Sequence, residues 1–209
     1  MARRSGLLIG SIGLAVLGSL VGCSASSGVA TVSPGGFATT RFVVPLAVTP
    51  PSWGIGPPTH ELANFMTWVS PDDAHAVRFL VPLTVYQPGS ATAVAPPPPE
   101  RYLAYLQGLS SVGARVSDVH TTPVGGQSAT VLTATATESL DGSLGCQEAG
   151  LAAPDCFGLQ PDLVLRMAVM AVGGHTLLIW ERIAVSAAVD VQQADAAAFD
   201  RMLGTVALR

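Results

Sequence analysis

Apolar and polar positions follow two periods along the chain. Residues 128–137 (SATVLTATAT) set Val131, Thr133, Thr135 and Thr137 against Leu132, Ala134 and Ala136, the two-residue period of a strand. Residues 115–124 precede that run across Gly125-Gly126, and residues 163–172 and 175–185 flank Gly173-Gly174 in the same way. A Gly-Gly pair supplies the positive φ that tight hairpin turns need, so two β-hairpins are predicted. Further strands are expected at 41–48 (RFVVPLAV), 62–69 (LANFMTWV) and 76–86 (AVRFLVPLTVY). Pro45 marks the first as an edge or a bulge, and Pro82 interrupts the third. Residues 205–208 offer a short last strand.

Two segments follow the helical period instead. In residues 101–109, Tyr102, Leu106 and Leu109 share one face, and Pro98 or Pro99 suits the first turn. Residues 191–203 form the second helix, with Asp190 as N-cap, Val191, Ala194, Ala198 and Met202 as the buried stripe, and Gly204 at the end. Between the elements lie turns: residues 50–54 (PPSWG), Ser70-Pro71-Asp72-Asp73, and a long loop of polyproline character at 88–99. Strands, one helix, two hairpins and one helix imply an α+β class. The expected architecture is a single domain with a mostly antiparallel β-sheet of about 6–8 strands flanked by two main helices.

The N-terminus has a different pattern. Arg3 and Arg4 precede an apolar run at 7–21, too short for the ~20 residues that span a bilayer and suited to the core of a signal peptide. Leu20-Val21-Gly22-Cys23 then resembles the lipobox of bacterial lipoprotein precursors. That resemblance implies a diacylglycerol on the Cys23 thiol, cleavage before it, and acylation of the new N-terminus. The expected organisation is a signal peptide at 1–22, a flexible Ser/Gly-rich tether at 23–36, and the sheet domain at 37–209. The location implied is extracytoplasmic, on the outer face of the cell membrane.

Composition sharpens this reading. Of 209 residues only 11% are charged, against about a quarter in typical soluble domains, while 49% are apolar, enough for a core. The ten basic residues are all Arg, against fourteen acids. Cleavage would remove Arg3 and Arg4 and no acid, leaving eight against fourteen. An acidic chain without clustered cations excludes nucleic acid as a partner. It also leaves membrane attachment to the acyl chains.

Cys146 and Cys156 remain after Cys23, and an even pair outside the cytoplasm reads as a disulfide. Neither C-x-x-C nor a His pair of ligand spacing accompanies them, so neither a metal nor a cofactor is expected.

Several turn motifs also resemble small actinobacterial lipoproteins of the LpqN type. These are Pro50-Pro51-Ser52-Trp53, the helix around Tyr102 to Leu109, Val124-Gly125-Gly126-Gln127-Ser128-Ala129, Val172-Gly173-Gly174, and the end of the last helix from Phe199 to Leu203. The resemblance implies a PsbP-like, Mog-type α/β sandwich and an adaptor or binding role.

The candidates for chemistry are few. G-x-S-x-G, G-x-G-x-x-G, the P-loop and H-E-x-x-H are missing from the sequence. His60, His75, His120 and His175 are scattered. Asp72-Asp73 reads as a solvated turn, with paired carboxylates for acid/base work or Ca²⁺ as the other reading. Arg78, Arg166, Glu181 and Arg182 interrupt apolar strands. Either each stands on the solvent face of its strand, or they converge in a cleft suited to an anionic ligand. Trp53, in its Pro/Gly turn, is the aromatic placed to line a groove. The function expected is a membrane-anchored, non-catalytic binding or adaptor module for an envelope protein or apolar small molecule. An envelope hydrolase and a purely structural lipoprotein are the alternatives.

Overall fold

A computed structural model describes residues 35–209. The expected signal segment, Cys23 and all but the end of the tether lie outside the described residues.

In chain order the strands are Phe37–Ala38 (β1), Leu46–Val48 (β2), His60–Glu61 (β3), Phe65–Val69 (β4), Ala76–Leu80 (β5), Val85–Tyr86 (β6) and Ala93–Val94 (β7). The helix Pro99–Gly108 (α1) follows, then Ala114–Val124 (β8), Gln127–Ala136 (β9), Leu140–Gly145 (β10), Phe157–Leu159 (β11), Leu163–Val172 (β12) and His175–Ala184 (β13). Val189–Leu203 (α2) and Ala207–Leu208 (β14) complete the fold.

One seven-stranded sheet, in the order β3-β4-β5-β13-β12-β9-β8, organises the domain, and every neighbouring pair is antiparallel. Its two long hairpins turn where the Gly-Gly pairs stand. Gly125 and Gly126 have φ of 57° and 79°, and Gly173 and Gly174 have φ of 57° and 83°. Positive φ at both central residues defines the turn whose twist matches the flanking strands, and side chains other than Asn, Asp or Gly enter it at a cost. The outer strand β8 breaks register between Ser117 and His120, where Asp118 takes φ 52°. Such a bulge twists a free edge away from pairing with another chain.

Both sheet faces are covered. On one, α2 contributes Phe199, Met202 and Leu203 to a core with Trp68, Val77, Phe79, Val131, Ala168 and Ile179. The small sheet β1-β2-β14 closes the same side. On the other, α1 sets Tyr102 and Leu106 against Leu80, Leu132, Met167, Leu178 and Trp180. The Tyr102 hydroxyl donates to the Leu144 carbonyl at 2.9 Å, and the Tyr105 hydroxyl donates to that of Ser143 at 2.9 Å, which pins α1 to β10. The class is therefore the expected α+β, helices on both faces of a mostly antiparallel sheet.

Locally the chain departs from the expected elements. The run at 76–86 is two strands, β5 and β6, and the chain leaves the main sheet before Pro82. Of residues 41–48 only Leu46–Val48 pairs as a strand. The segment from Leu140 to Leu159, where the sequence pattern predicts no strand, contains β10 and β11. The 88–99 loop carries β7 and is tied down where the Thr176 hydroxyl donates to the Pro97 carbonyl.

α2 begins two residues before its expected start, with Ala188 at the cap position and Asp190 in the first turn, where a carboxylate suits the helix dipole. Its buried residues are Phe199, Met202 and Leu203, while Val191 is 43% exposed. The helix is thus rotated from the expected stripe. Burying one Phe and one Leu outweighs burying a Val and alanines.

Cys146 and Cys156 form the expected disulfide, with Cα atoms 4.5 Å apart. Both sulfurs are enclosed beside Tyr86, whose hydroxyl donates to the Leu151 carbonyl at 2.8 Å. At the entrance to the domain, Glu61 accepts the N–H groups of Thr40, Arg41 and Phe42 at 2.6, 2.8 and 3.3 Å, and the Thr40 hydroxyl at 2.8 Å.

Two substitutions on one helix check the phase of α2. Phe199→Ala is expected to lower stability in urea unfolding by about 3–5 kcal/mol, whereas Val191→Ala should change it by no more than about 0.5 kcal/mol. Replacing both Cys146 and Cys156 by Ser should cost about 2–3 kcal/mol, read the same way.

Candidate functional site

The polar residues inside the apolar strands do not form one cluster. Side chains alternate across a sheet, and the register fixes each one's face. Arg166 pairs opposite Glu181, and Glu181 opposite Val77. Arg166 and Glu181 therefore lie on the α2 face, with the core of Val77, Ala168 and Ile179. Arg78 pairs opposite Trp180, which belongs to the α1-side core, so it lies on the other face. Its guanidinium stands 5.1 Å from the centre of the Phe157 ring. Burial, then Arg182, pushes its pKa down to about 10, which leaves it charged at neutral pH. The alternative of solvent-facing side chains also fails for Arg166 and Glu181, which are 8% and 0% exposed. Both are covered by α2, a contact between segments far apart in sequence.

Arg166 is fully engaged. It donates through Nε and Nη2 to the two oxygens of Asp200 on α2, at 3.2 and 3.1 Å, and through Nη1 to the Thr133 hydroxyl at 3.3 Å. This forked geometry fixes α2 over β12. Beside it a groove of about 270 Å³ opens between helix and sheet, walled by Val164, Ile183, Val189 and Ala196, with Arg166 and Thr133 at its polar end.

Glu181 is in the opposite condition. Among the described residues neither of its carboxylate oxygens has a hydrogen-bond partner. Burial first, then the charges of Asp195 and Asp200, pushes its pKa up to about 8. Asp195 comes from α2 and His75 from the residue just before β5. Nδ1 of His75 is 3.7 Å from Oδ2 of Asp195, and it too is buried without a hydrogen-bond partner. The possible donor atoms of His75, Glu181 and Asp195 all lie within 4.8 Å of one another. Trp53 stacks on the His75 ring, with centroids 5.6 Å apart and 23° between the planes. The Pro/Gly turn therefore does present its aromatic to a polar pocket, and the chemistry there belongs to His75, Glu181 and Asp195.

The remaining sequence candidates stand apart. His60 and His120 are exposed on β3 and β8, and His175 is exposed at the start of β13, six residues before Glu181. Asp72 and Asp73 serve the turn. Asp72 accepts the Ser70 hydroxyl at 2.6 Å and the Ala74 N–H at 3.2 Å, and the Ser70 bond leads in lowering its pKa. Asp73 pairs with Arg182. The sequence reading missed the role of Asp195 and treated His75 as one of four scattered histidines. The available signal was Glu181 itself, an acid in TLLIWERIAV with apolar residues two positions away on either side.

No protein-family model matches the chain, and no curated protein matches it. Among solved structures it is similar to the solution structure of cyanobacterial PsbP (CyanoP) from Synechocystis sp. PCC 6803. That likeness has 10% identity and a TM-score of 0.43, covering 90% of this chain and 99% of that one. It is also similar to the Ran-binding protein Mog1p of Saccharomyces cerevisiae, at 7% identity and a TM-score of 0.40, covering 77% of this chain and 88% of that one. These likenesses concern the path of the backbone and assign no residue of the site.

Glu181 makes the domain sensitive to pH. In metal-free protein its folded pKa of about 8 exceeds its ordinary value of 4.5. Its contribution to stability is fully present below about pH 4.5 and is lost as the pH rises to about 8, at up to about 1.4 kcal/mol per pH unit. The groups facing it are Asp195 and Asp200 from α2, Arg166 from β12 and His75 ahead of β5. Urea unfolding across this range, in chelator, should show the fall in the wild type and a much flatter profile in Glu181→Gln.

Proposed function

We propose that the chain is an envelope lipoprotein of the LpqN type, held to the outer face of the cell membrane by lipid on Cys23, whose folded domain is a non-catalytic binding module. The observation that carries this reading is the order of segments: a basic start, an apolar core, Leu20-Val21-Gly22-Cys23, a small polar tether, and then a self-contained sheet domain. Acyl chains supply the membrane affinity that an acidic domain lacks.

For the bound molecule, the groove under α2 supports an apolar compound from the envelope. Val164, Ile183, Val189 and Ala196 give it apolar walls, and Arg166 a polar end. Ligand sites of this kind are mostly apolar, with a few polar groups that fix orientation. An envelope protein as partner is the competing occupant.

Metabolic labelling with a fatty acid tests the anchor: the wild type should carry label and Cys23→Ala should carry none. An unlabelled wild type would overturn the anchoring. Purification of the labelled protein from membranes, followed by extraction with organic solvent, tests the ligand. A stoichiometric apolar molecule that is lost from Val189→Arg is expected. A stoichiometric protein unaffected by that change would replace the apolar ligand with a protein partner. Turnover in a screen of ester, glycoside and peptide substrates, abolished by Asp195→Asn, would overturn the non-catalytic reading.

A further inference from the structure

We propose that His75, Glu181 and Asp195 form a binding site for one divalent transition-metal cation of the zinc class, closed on one side by the Trp53 ring. Glu181 is the centre of the site. It is wholly buried, both oxygens lack partners among the described residues, and the carboxylate of Asp195 shares its pocket. A buried carboxylate is costly unless a cation or a set of donors meets it. The sheet supplies a cation on the adjacent strand, directly opposite, yet Arg166 gives its donors to Asp200 and Thr133. The guanidinium that could neutralise Glu181 is thus committed elsewhere, and the pocket keeps its acidic character.

The donor set and geometry match a metal better than they match a proton. Imidazole nitrogen and carboxylate oxygen are both ligand types of zinc, and a tetrahedral site with three protein ligands keeps one position open to water. Ligand atoms around tetrahedral zinc stand about 3.4 Å apart, as its bond lengths require. His75 Nδ1 and Asp195 Oδ2 are already at 3.7 Å, and all three residues fall within 4.8 Å, so small side-chain adjustments complete the approach. Among the described residues Nδ1 of His75 is buried without a hydrogen-bond partner, so in the tautomer that keeps its proton on Nε2 its lone pair is available to a metal. Three elements hold the ligands: β13 carries Glu181, the residue before β5 is His75, and α2 carries Asp195. Two carboxylates balance a divalent charge, and a half-exposed His75 opens the pocket to entry. The site owes nothing to the lipid anchor or to the apolar groove, and its failure would leave both intact.

Equilibrium dialysis of the full chain without an affinity tag, purified in detergent and stripped with chelator, tests the site with Zn²⁺, and with Mg²⁺ and Ca²⁺ for comparison. About one equivalent of Zn²⁺ is expected, with at least tenfold weaker binding for Glu181→Gln and for His75→Ala. His60→Ala, at an exposed histidine, should bind as the wild type does. Cu²⁺ taken up at the same site should quench tryptophan fluorescence, and Trp53→Phe should lose most of that quenching. If folding of Glu181→Gln is impaired, Asp195→Asn provides the same reading from the helix side. No uptake, or uptake unchanged by Glu181→Gln and Asp195→Asn, would overturn the proposal. So would uptake abolished by His60→Ala.

Discussion

The central hairpin of β12 and β13 is buried on both faces, and this constraint governs the rest of the molecule. A strand covered on one side alternates apolar and polar residues, but a strand covered on both must be apolar at nearly every position. LVLRMAVM and TLLIWERIAV satisfy that demand except at Arg166, Thr176, Glu181 and Arg182. α1 closes one face with Tyr102 and Leu106, and α2 closes the other with Phe199, Met202 and Leu203. Both helices reach the sheet across long stretches of chain, so each exceptional polar residue is enclosed by partners from another element. The chemistry of the domain is concentrated where this double coverage traps charge.

Arg166 and Glu181 illustrate two outcomes of the same burial. Arg166 has a forked carboxylate from Asp200 and a hydroxyl from Thr133, so its charge is met and its geometry is fixed. Among the described residues Glu181 has no such partner, and it shares its pocket with Asp195 and with Nδ1 of His75, which also lacks a hydrogen bond there. Structural ion pairs of the first kind hold helices in register. Unsatisfied groups of the second kind are rare in native cores and concentrate where a ligand, an ion or a proton completes them. The stacking of Trp53 on His75 ties the Pro-Pro turn to the same pocket.

Features fixed by neighbouring residues were legible in the sequence. Gly125-Gly126 and Gly173-Gly174 dictate their turns locally, and each hairpin follows from its turn. The face of α1 was also legible, because Tyr102, Leu106 and Leu109 are large and properly spaced. α2 was harder to read. Its alanines fit either a core or a surface, and the deciding contact is Phe199 against the sheet. β10 and β11 were hidden by the Gly and Ser content of their segment. Pocket membership depended on strand order: Glu181, His75 and Asp195 meet only because β5 pairs with β13 and α2 lies across them. No spacing rule within one element could bring those three together.

The Glu61 carboxylate has a mechanical consequence. It gathers three successive backbone N–H groups, those of Thr40, Arg41 and Phe42, at the point where the chain enters the fold. Tension on the residues ahead of Phe37 meets the two-residue pairing of β1 with β2 first, and then this carboxylate on β3, the outermost strand of the large sheet. Glu61 therefore acts as a latch that passes such a load to the edge strand β3 and not to the central hairpin. Burial works against ionisation of this carboxylate, but the backbone donors of Arg41 and Thr40 hold its pKa below the ordinary value, so the latch stays engaged until the medium is distinctly acidic.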